Sequence, residues 1–409
     1  MRTVAAMRIL HTSDWHLGRT FHGASLLDDQ AEAIDRIVEL AAQNEVDLVV
    51  IAGDLYDRAI PPADAVALFD RALALLRDTG ATVVAIGGNH DSNIRVGVYD
   101  SLLSALGMSI RGDVLRSNEP VLVAAADGGP PVAVYPLPYL DPTVVGPLLQ
   151  VADETEEPED HESESTRRRR LRHDEVTRLA LDRIRVDLKT RDGARSVVVA
   201  HTFVTGGEIC ESERELTVGN IETVGVDAFA GFDYVALGHL HGSQERDGAR
   251  VAYSGTPLPY SFSEQHHIKS IRIVDLAPDG SVTVEVVPLD IGRKLCTITG
   301  RLDDLLTDQQ FAHAEPARVR VYLTDANLPM QAMARLRARF PHAAELHHRP
   351  DGLDPANAAG AGRTVIDATV SPFELTMQFW DDQHTGAPSS VESELLTAAL
   401  SASTDSGDR

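Results

Sequence analysis

Short β-branched runs alternate with longer amphipathic stretches through the first third of the chain. "RILHTS" reads as a strand, Asp28 to Asn44 as a helix, "DLVVIA" as a strand and Asp64 to Thr79 as a helix. "TVVAIG" is then a third strand and Ile94 to Leu106 a third helix. This βαβ rhythm predicts parallel strands joined by right-handed crossovers, an α/β architecture. Further on, "SVVVA" and "DYVAL" are two more buried strands.

From Val251 to Pro288, "VAYSG", "HIKSIRIVDL" and "SVTVEVVPL" read as antiparallel strands completing a second sheet. Beyond Ile291 the pattern changes. "KLCTITG", a helix at Leu302 to Ala312, "RVRVYLT", a helix at Pro329 to Phe340 and "AELHHRP" outline a small separate α/β domain. A Gly/Ala-rich linker, Gly352 to Gly362, leads to a tail in which Phe373, Met377 and Trp380, then Val391, Leu395 and Ala399, fall at helical spacing. Such helices either pack on their own domain or dock on a partner. The domain reading is therefore 1–290, 291–350, a linker at 351–370 and a helical tail at 371–409.

The composition narrows the class. With 409 residues and 43% hydrophobic content, the chain has room for more than one core. No apolar run approaches a membrane span and no signal-peptide pattern opens the sequence, so a cytoplasmic location is expected. Met7 opens "MRILHTSDWHLG", which reads as a natural start, leaving "MRTVAA" as a dispensable extension. Cys210 and Cys296 are the only cysteines and form no C-x-x-C, which excludes a disulfide framework and a thiolate zinc site.

A formal net charge of -25 argues against a bare phosphate-binding surface. Part of that charge is local. "DETEEPEDHESE", Asp153 to Glu164, runs into "RRRR", Arg167 to Arg170, and the pair reads as a solvated insertion at about 152–172. The remaining acidity would be answered by bound cations.

Candidate chemistry sits where the strands end. In parallel sheets, ligands collect on the loops leaving the carboxyl ends. Those loops read "SDWH", "GDLYD" and "GGNHDS", while "SVVVA" runs into His201 and "DYVAL" into Gly238-His239-Leu240-His241. Singly, each polar residue has a bland explanation as a turn, cap or core imidazole. Together, Asp14, His16, Asp54, Asn89, His201, His239 and His241 form an N/O ligand set suited to manganese, iron, zinc or magnesium. Seven ligands are too many for one ion, whereas two ions ~3.5–4 Å apart would use them all. Two dications at that distance repel by ~18 kcal/mol at an effective dielectric of 20, so an anion must lie between them. Asp54 is the choice for that bridging carboxylate.

These segments, Asp14-x-His16, Gly53-Asp54-x-x-Asp57, Gly88-Asn89-His90-Asp91, His201 and Gly238-His239-x-His241, resemble the ordered signature of the calcineurin-like metallophosphoesterases, over about Met7 to Leu289. "HTSDWHLGRTF", "GDLYDRAIPP", "YPLPYL", "AHTFVTGGE", "FDYVALGHLHG" and "YSGTPLPYSFSE" are similar to its DNA-repair nuclease branch, the SbcD type. The resemblance implies a four-layer αββα sandwich with a small capping domain. It also implies two divalent ions, manganese with magnesium as the alternative. Asp14, His16 and His241 would hold one, Asn89, His201 and His239 the other, and Asp54 both. The glycines of the Gly-His-x-His segment are expected to let the backbone make its turn.

By the same resemblance His90 stabilises or protonates the leaving 3′ oxygen, with Asp91 orienting it, and Arg19, Arg58 and Arg95 are candidate phosphate contacts. Asp57 stands where archaeal and eukaryotic relatives carry a histidine, so that histidine's role does not transfer.

The implied activity is 3′-to-5′ exonuclease action on double-stranded ends and endonuclease action on hairpins or single strands, in DNA repair, recombination and replication. The implied partners are DNA, an SbcC-like coiled-coil ATPase docked by the tail, and a second copy within a heterotetramer, with the nucleoid as the place of action. Two other readings compete: a phosphatase or cyclic-nucleotide phosphodiesterase on the same scaffold, and a catalytically inactive scaffold. The region beyond Leu289 argues against the first and the complete ligand set against the second.

Overall fold

The computed structural model describes residues 6–125, 128–153, 171–213, 223–350, 372–383 and 388–405. The core of the acidic and basic insertion, and the Gly/Ala-rich linker, lie outside the described residues. The chain divides into two compact units, 1–292 and 293–409.

In the first unit, Met7–Thr12, Leu48–Ile51, Thr82–Ile86 and Met108–Arg111 form a parallel run. Ser270–Leu276 and Val282–Pro288 extend it antiparallel to six strands. A second six-stranded sheet has a parallel centre, Val132–Leu137, Ser196–His201, Tyr234–Gly238 and Val251–Tyr253, flanked by antiparallel edges. The expectation that 251–288 builds one antiparallel sheet is therefore corrected. Val251–Tyr253 is parallel to Tyr234–Gly238, while the following hairpin crosses to the first sheet. "HIKSIRIVDL" carries apolar side chains on both faces, as a strand buried between layers must.

Strand alternation explains the layering. Ile9, Val50, Val84, Val197, Val199 and Ala236 meet in one cluster between the sheets. Their neighbours Leu10, Val49 and Val83 turn the other way, onto Ile34, Ile37 and Phe69 of helices Leu27–Gln43 and Ala63–Asp78. Val198 and Ala200 likewise meet Val176, Leu181 and Ile184 of helix His173–Leu188. Helix, sheet, sheet, helix is the result, and strands buried on both faces have the continuous apolar runs seen in the sequence.

One expected helix is broken. Ile94 to Leu106 forms two short pieces, Asn93–Gly97 and Asp100–Leu103, and a 3-10 turn, Ser104–Leu106. Gly97 lies against Gly112, where a Cβ would meet backbone nitrogen at 2.8 Å. Asp100 is buried, accepting bonds from Ser109 and Arg111. These contacts fix the chain in a bent path that a continuous helix cannot follow.

In the second unit Leu295–Gly300, Arg318–Leu323 and Ala343–His348 form a three-stranded parallel sheet. Val319, Val321, Leu336 and Phe340 make its core, with helices Leu302–Thr307 and Ala332–Arg339 packed on it. The tail forms helices Pro372–Gln383 and Ser390–Asp405, on which Phe373, Val391 and Leu395 are exposed. No described helix is long and apolar enough to cross a membrane.

His11 pins the two sheets together. From the first sheet its Nδ1 and Nε2 lie 2.8 Å from the Tyr234 hydroxyl and 3.1 Å from the Leu237 carbonyl in the second. Burial, aided by the Arg272 charge, pushes its pKa down to about 3. The folded protein thus holds His11 neutral while the unfolded chain protonates it near 6.5, so stability is complete above that pH and falls as pH drops toward 3. One such group contributes about 1.4 kcal/mol per pH unit. Urea denaturation of His11→Gln between pH 6 and 5 should show a slope shallower than wild type by about that amount. Equal slopes would show that His11 does not titrate on unfolding.

Candidate metal centre

Five strand ends converge. Thr12, Ile51 and Ile86 of the first sheet and His201 and Gly238 of the second all point their carboxyl ends to one edge, with His201 and Gly238 in direct register. The loops that follow are cross-tied by backbone bonds: Asp14 N–H donates to Gly53 O at 3.0 Å, His16 N–H to Asp54 O at 2.9 Å and Leu17 N–H to Leu55 O at 3.0 Å.

Those bonds hold strained backbone. Asp14, His16, Asp54 and His239 take φ of 54°, 45°, 48° and 109°. A non-glycine residue there costs on the order of 1–3 kcal/mol, and such outliers gather at functional sites. Neighbouring glycines serve a different need from the one expected at Gly238 and Gly242, neither of which has positive φ. Gly238 admits close approach, since a Cβ there would sit 1.8 Å from Ala52 O. A Cβ on Gly53 would meet His201 Nδ1 at 2.3 Å, and one on Gly88 the Asp54 carboxylate at 2.2 Å. At Gly238-His239 the histidine, not the glycine, takes the positive φ that makes the turn.

All seven expected ligands meet at this edge. Asp14, His16 and His241 offer atoms within 4.8 Å of one another, as do Asp14, Asp54 and His201. Asn89 Oδ1 lies 2.8 Å from His201 Nε2 and 3.3 Å from His239 Nδ1. Asp54 stands between the two groups, its Oδ2 3.6 Å from both His16 Nε2 and His201 Nε2. All of them except Asn89 are buried.

The donor set fits cations and little else. His201 Nδ1 lies 2.9 Å from the Ala52 carbonyl, so the ring's proton goes there and Nε2 turns a lone pair toward the Asn89 oxygen. Ser212 has one hydroxyl proton, which it donates to Glu264, so His241 Nδ1–H must donate to Ser212 Oγ at 2.7 Å. His241 Nε2 then presents a lone pair 3.2 Å from His16 Nε2. If His16 donates to it, His16 Nδ1 remains a buried acceptor without a hydrogen-bond partner.

Protonating the rings is no escape. Burial and neighbouring charges lower the pKa of His16 and His239 well below the ordinary value, and burial lowers those of His201 and His241. Burial, then the Asp54 charge, raises Asp14 well above the carboxylate range. A dication reverses both tendencies at once.

His90 and Asp91 occupy the expected loop but in altered relation. His90 Nδ1 donates to the Asp57 carbonyl at 2.8 Å, and its ring meets His16 edge to face at 4.6 Å. Asp91 does not orient it. Its carboxylate accepts the backbone N–H groups of Leu55, Tyr56 and Gly88 at 2.9–3.0 Å, clamping the second loop to the third. Burial and Asp54 push its pKa up to about 7 against those three bonds.

Of the three candidate arginines, Arg19 is the one that is not exposed. It stacks on Tyr260, donates to Ser212 O at 3.0 Å and approaches Asp57 at 3.4 Å. Arg58 is largely exposed, and Arg95 lies on an apolar groove of about 560 Å³ with Ile60, Phe69 and Tyr99.

Sequence reasoning missed the polar residues behind His241. Glu213 accepts the His241 N–H at 2.7 Å, and Lys269 donates to its carbonyl at 2.9 Å and pairs with Glu264. Burial raises the Glu264 carboxyl, but Lys269 and His241 outweigh it and hold the group below its ordinary range. Glu264 closes "YSGTPLPYSFSE", and its burial is visible only in the structure.

Residues 7–243, more than half of the chain, match the model of the calcineurin-like phosphoesterase family, and the chain belongs to that family. It is a metal-dependent phosphoester hydrolase by class, and the family uses two divalent metals. Among solved structures it is similar to TT1561 of Thermus thermophilus, with 17% identity over 69% of this chain and 99% of that one and a TM-score of 0.39. A dimetal phosphatase from Danio rerio matches at 13% identity, over 70% and 97%, with a TM-score of 0.39. GAP50 of Plasmodium matches at 12%, over 86% and 99%, with a TM-score of 0.35.

Gly53→Ala tests the close packing at the centre. The added methyl should displace the His201 ring from Ala52 and strain a backbone held at φ 89°, and together these should weaken Mn²⁺ binding at least ~10-fold by calorimetry. Wild-type affinity in a folded variant would show that His201 has room to spare.

Proposed function

We propose that this chain is a metal-dependent DNA nuclease of the SbcD type. One observation carries the hydrolytic chemistry: the Asp54 carboxylate stands 3.6 Å from an imidazole nitrogen of each ligand group, where a bridge between two ions belongs. Asp14, His16 and His241 would hold one ion and Asn89, His201 and His239 the other. Divalent ions there would supply a Lewis-acid clamp on the phosphate and a water acidified enough to attack phosphorus.

The protein's own residues do the rest. His90 is anchored through Nδ1 on Asp57, which leaves Nε2 to exchange a proton with the leaving oxygen. Arg19 is the candidate phosphate contact this reading favours, being the one of the three that is not exposed. Asp57 and Tyr260 fix its guanidinium.

Support for DNA as the substrate comes from the sequence. "GDLYDRAIPP", "AHTFVTGGE" and "YSGTPLPYSFSE" are similar to the SbcD branch, and the unit 293–409 adds a sheet domain and two helices with exposed apolar residues. On this reading residues 291–350 present DNA, and the tail at 371–409 docks an SbcC-like coiled-coil ATPase whose surface answers the acidity of this chain. The assembly is a homodimer within a heterotetramer. Manganese is the metal. A phosphatase or cyclic-nucleotide phosphodiesterase would use the same centre.

Cleavage of a labelled DNA hairpin with Mn²⁺, against para-nitrophenyl phosphate and cyclic AMP, separates the readings. Hairpin cleavage should dominate, and His90→Gln should lower it by ~10²–10⁴ at unchanged metal content. Preference for the small esters would favour the phosphatase reading, and undiminished cleavage by the variant would remove His90 from the chemistry.

A further inference from the structure

His241 is gripped from behind by residues far from it in the chain. Its Nδ1–H donates to Ser212 Oγ at 2.7 Å, and the Ser212 hydroxyl donates in turn to Glu264 Oε1. That carboxylate oxygen is itself 3.5 Å from His241 Nδ1 and accepts the Tyr260 N–H at 3.1 Å. Lys269 caps the other oxygen and reaches Thr256 Oγ1 at 2.7 Å. Ser212 and Glu264 are both buried.

A ligating imidazole needs its second nitrogen tied down, because that bond fixes which nitrogen carries the proton and where the ring points. At His201 the tie is a backbone carbonyl, that of Ala52. At His241 it is a side chain relayed to a buried anion. The relay makes Nδ1 the protonated nitrogen and adds negative charge behind the ring, which raises the electron-donating power of Nε2.

We propose that Ser212, backed by Glu264, is the positioning residue for His241, and that it sets the affinity of the ion on the His16 side. The proposal rests on the two-ion reading above. It makes the segment carrying Ser212 part of the centre. That segment also supplies the carbonyl that accepts Arg19 and the Glu213 carboxylate that accepts the His241 N–H. Loading of this ion and the order of residues 208–213 are then linked, with Arg19 held from the same segment.

The test is Mn²⁺ titration by calorimetry of wild type, Ser212→Ala and Ser212→Thr, with thermal melting of each metal-free protein. Removing the hydroxyl should weaken one of two ions ~10–100-fold and leave the other near its wild-type affinity. The threonine variant keeps the hydroxyl and should restore the lost affinity. Metal-free melting of all three should agree within a few degrees. Two ions bound by Ser212→Ala with wild-type affinity would overturn the proposal, as would equal weakening of both ions with a lowered melting point, which marks a purely structural role. A wild-type protein that takes fewer than two ions would instead sink the two-ion reading itself.

Discussion

Acceptor atoms facing one another in a buried space are the constraint from which the rest of this structure follows. His16 Nε2 and His241 Nε2 stand 3.2 Å apart, His201 Nε2 faces the Asn89 oxygen at 2.8 Å, and Asp54 lies beside Asp14. Left to themselves, such groups repel or bury unsatisfied lone pairs, each at a cost on the order of 1–3 kcal/mol. Positive charge between them turns the same arrangement into a ligand cage. Cations are the species that the donor set calls for, and Asp54 lies 3.6 Å from an imidazole nitrogen on either side.

Holding that cage together is the business of the fold. Two mixed sheets, each with a run of parallel strands, bring five carboxyl ends to one edge, and neither sheet alone supplies a full set. The strained backbone at Asp14, His16 and Asp54 is tied loop to loop by main-chain bonds, and Asp91 clamps the second loop to the third through three N–H groups. Gly53, Gly88 and Gly238 let neighbouring loops approach closer than any side chain would allow. Rigidity is useful here, because ligands placed before the ions arrive need little ordering when they bind.

The ligand loops were legible because each is a short polar turn after a β-branched strand, and the parallel strands dictate that such turns share an edge. The four layers were implied by the family resemblance rather than by periodicity. What escaped depends on contacts distant in sequence. Glu264 meets His241 through Ser212 and by its own approach at 3.5 Å, across separations no periodicity records. Asp91 looked like a partner for its neighbour His90, but chain adjacency says nothing of where a carboxylate points. The run from Ile94 to Leu106 has helical spacing, yet the close approach of Gly97 to Gly112 and the burial of Asp100 bend it. "HIKSIRIVDL" is a strand as read, though which sheet it joins is decided by its antiparallel pairing with Met7–Thr12.

Crystals soaked in manganese and measured at its absorption edge put the central claim to the most direct test. The account predicts two anomalous peaks ~3.5–4 Å apart, one beside His16 and His241 and one beside His201 and His239, with the Asp54 carboxylate between them. A single peak, or none, under saturating manganese would contradict it.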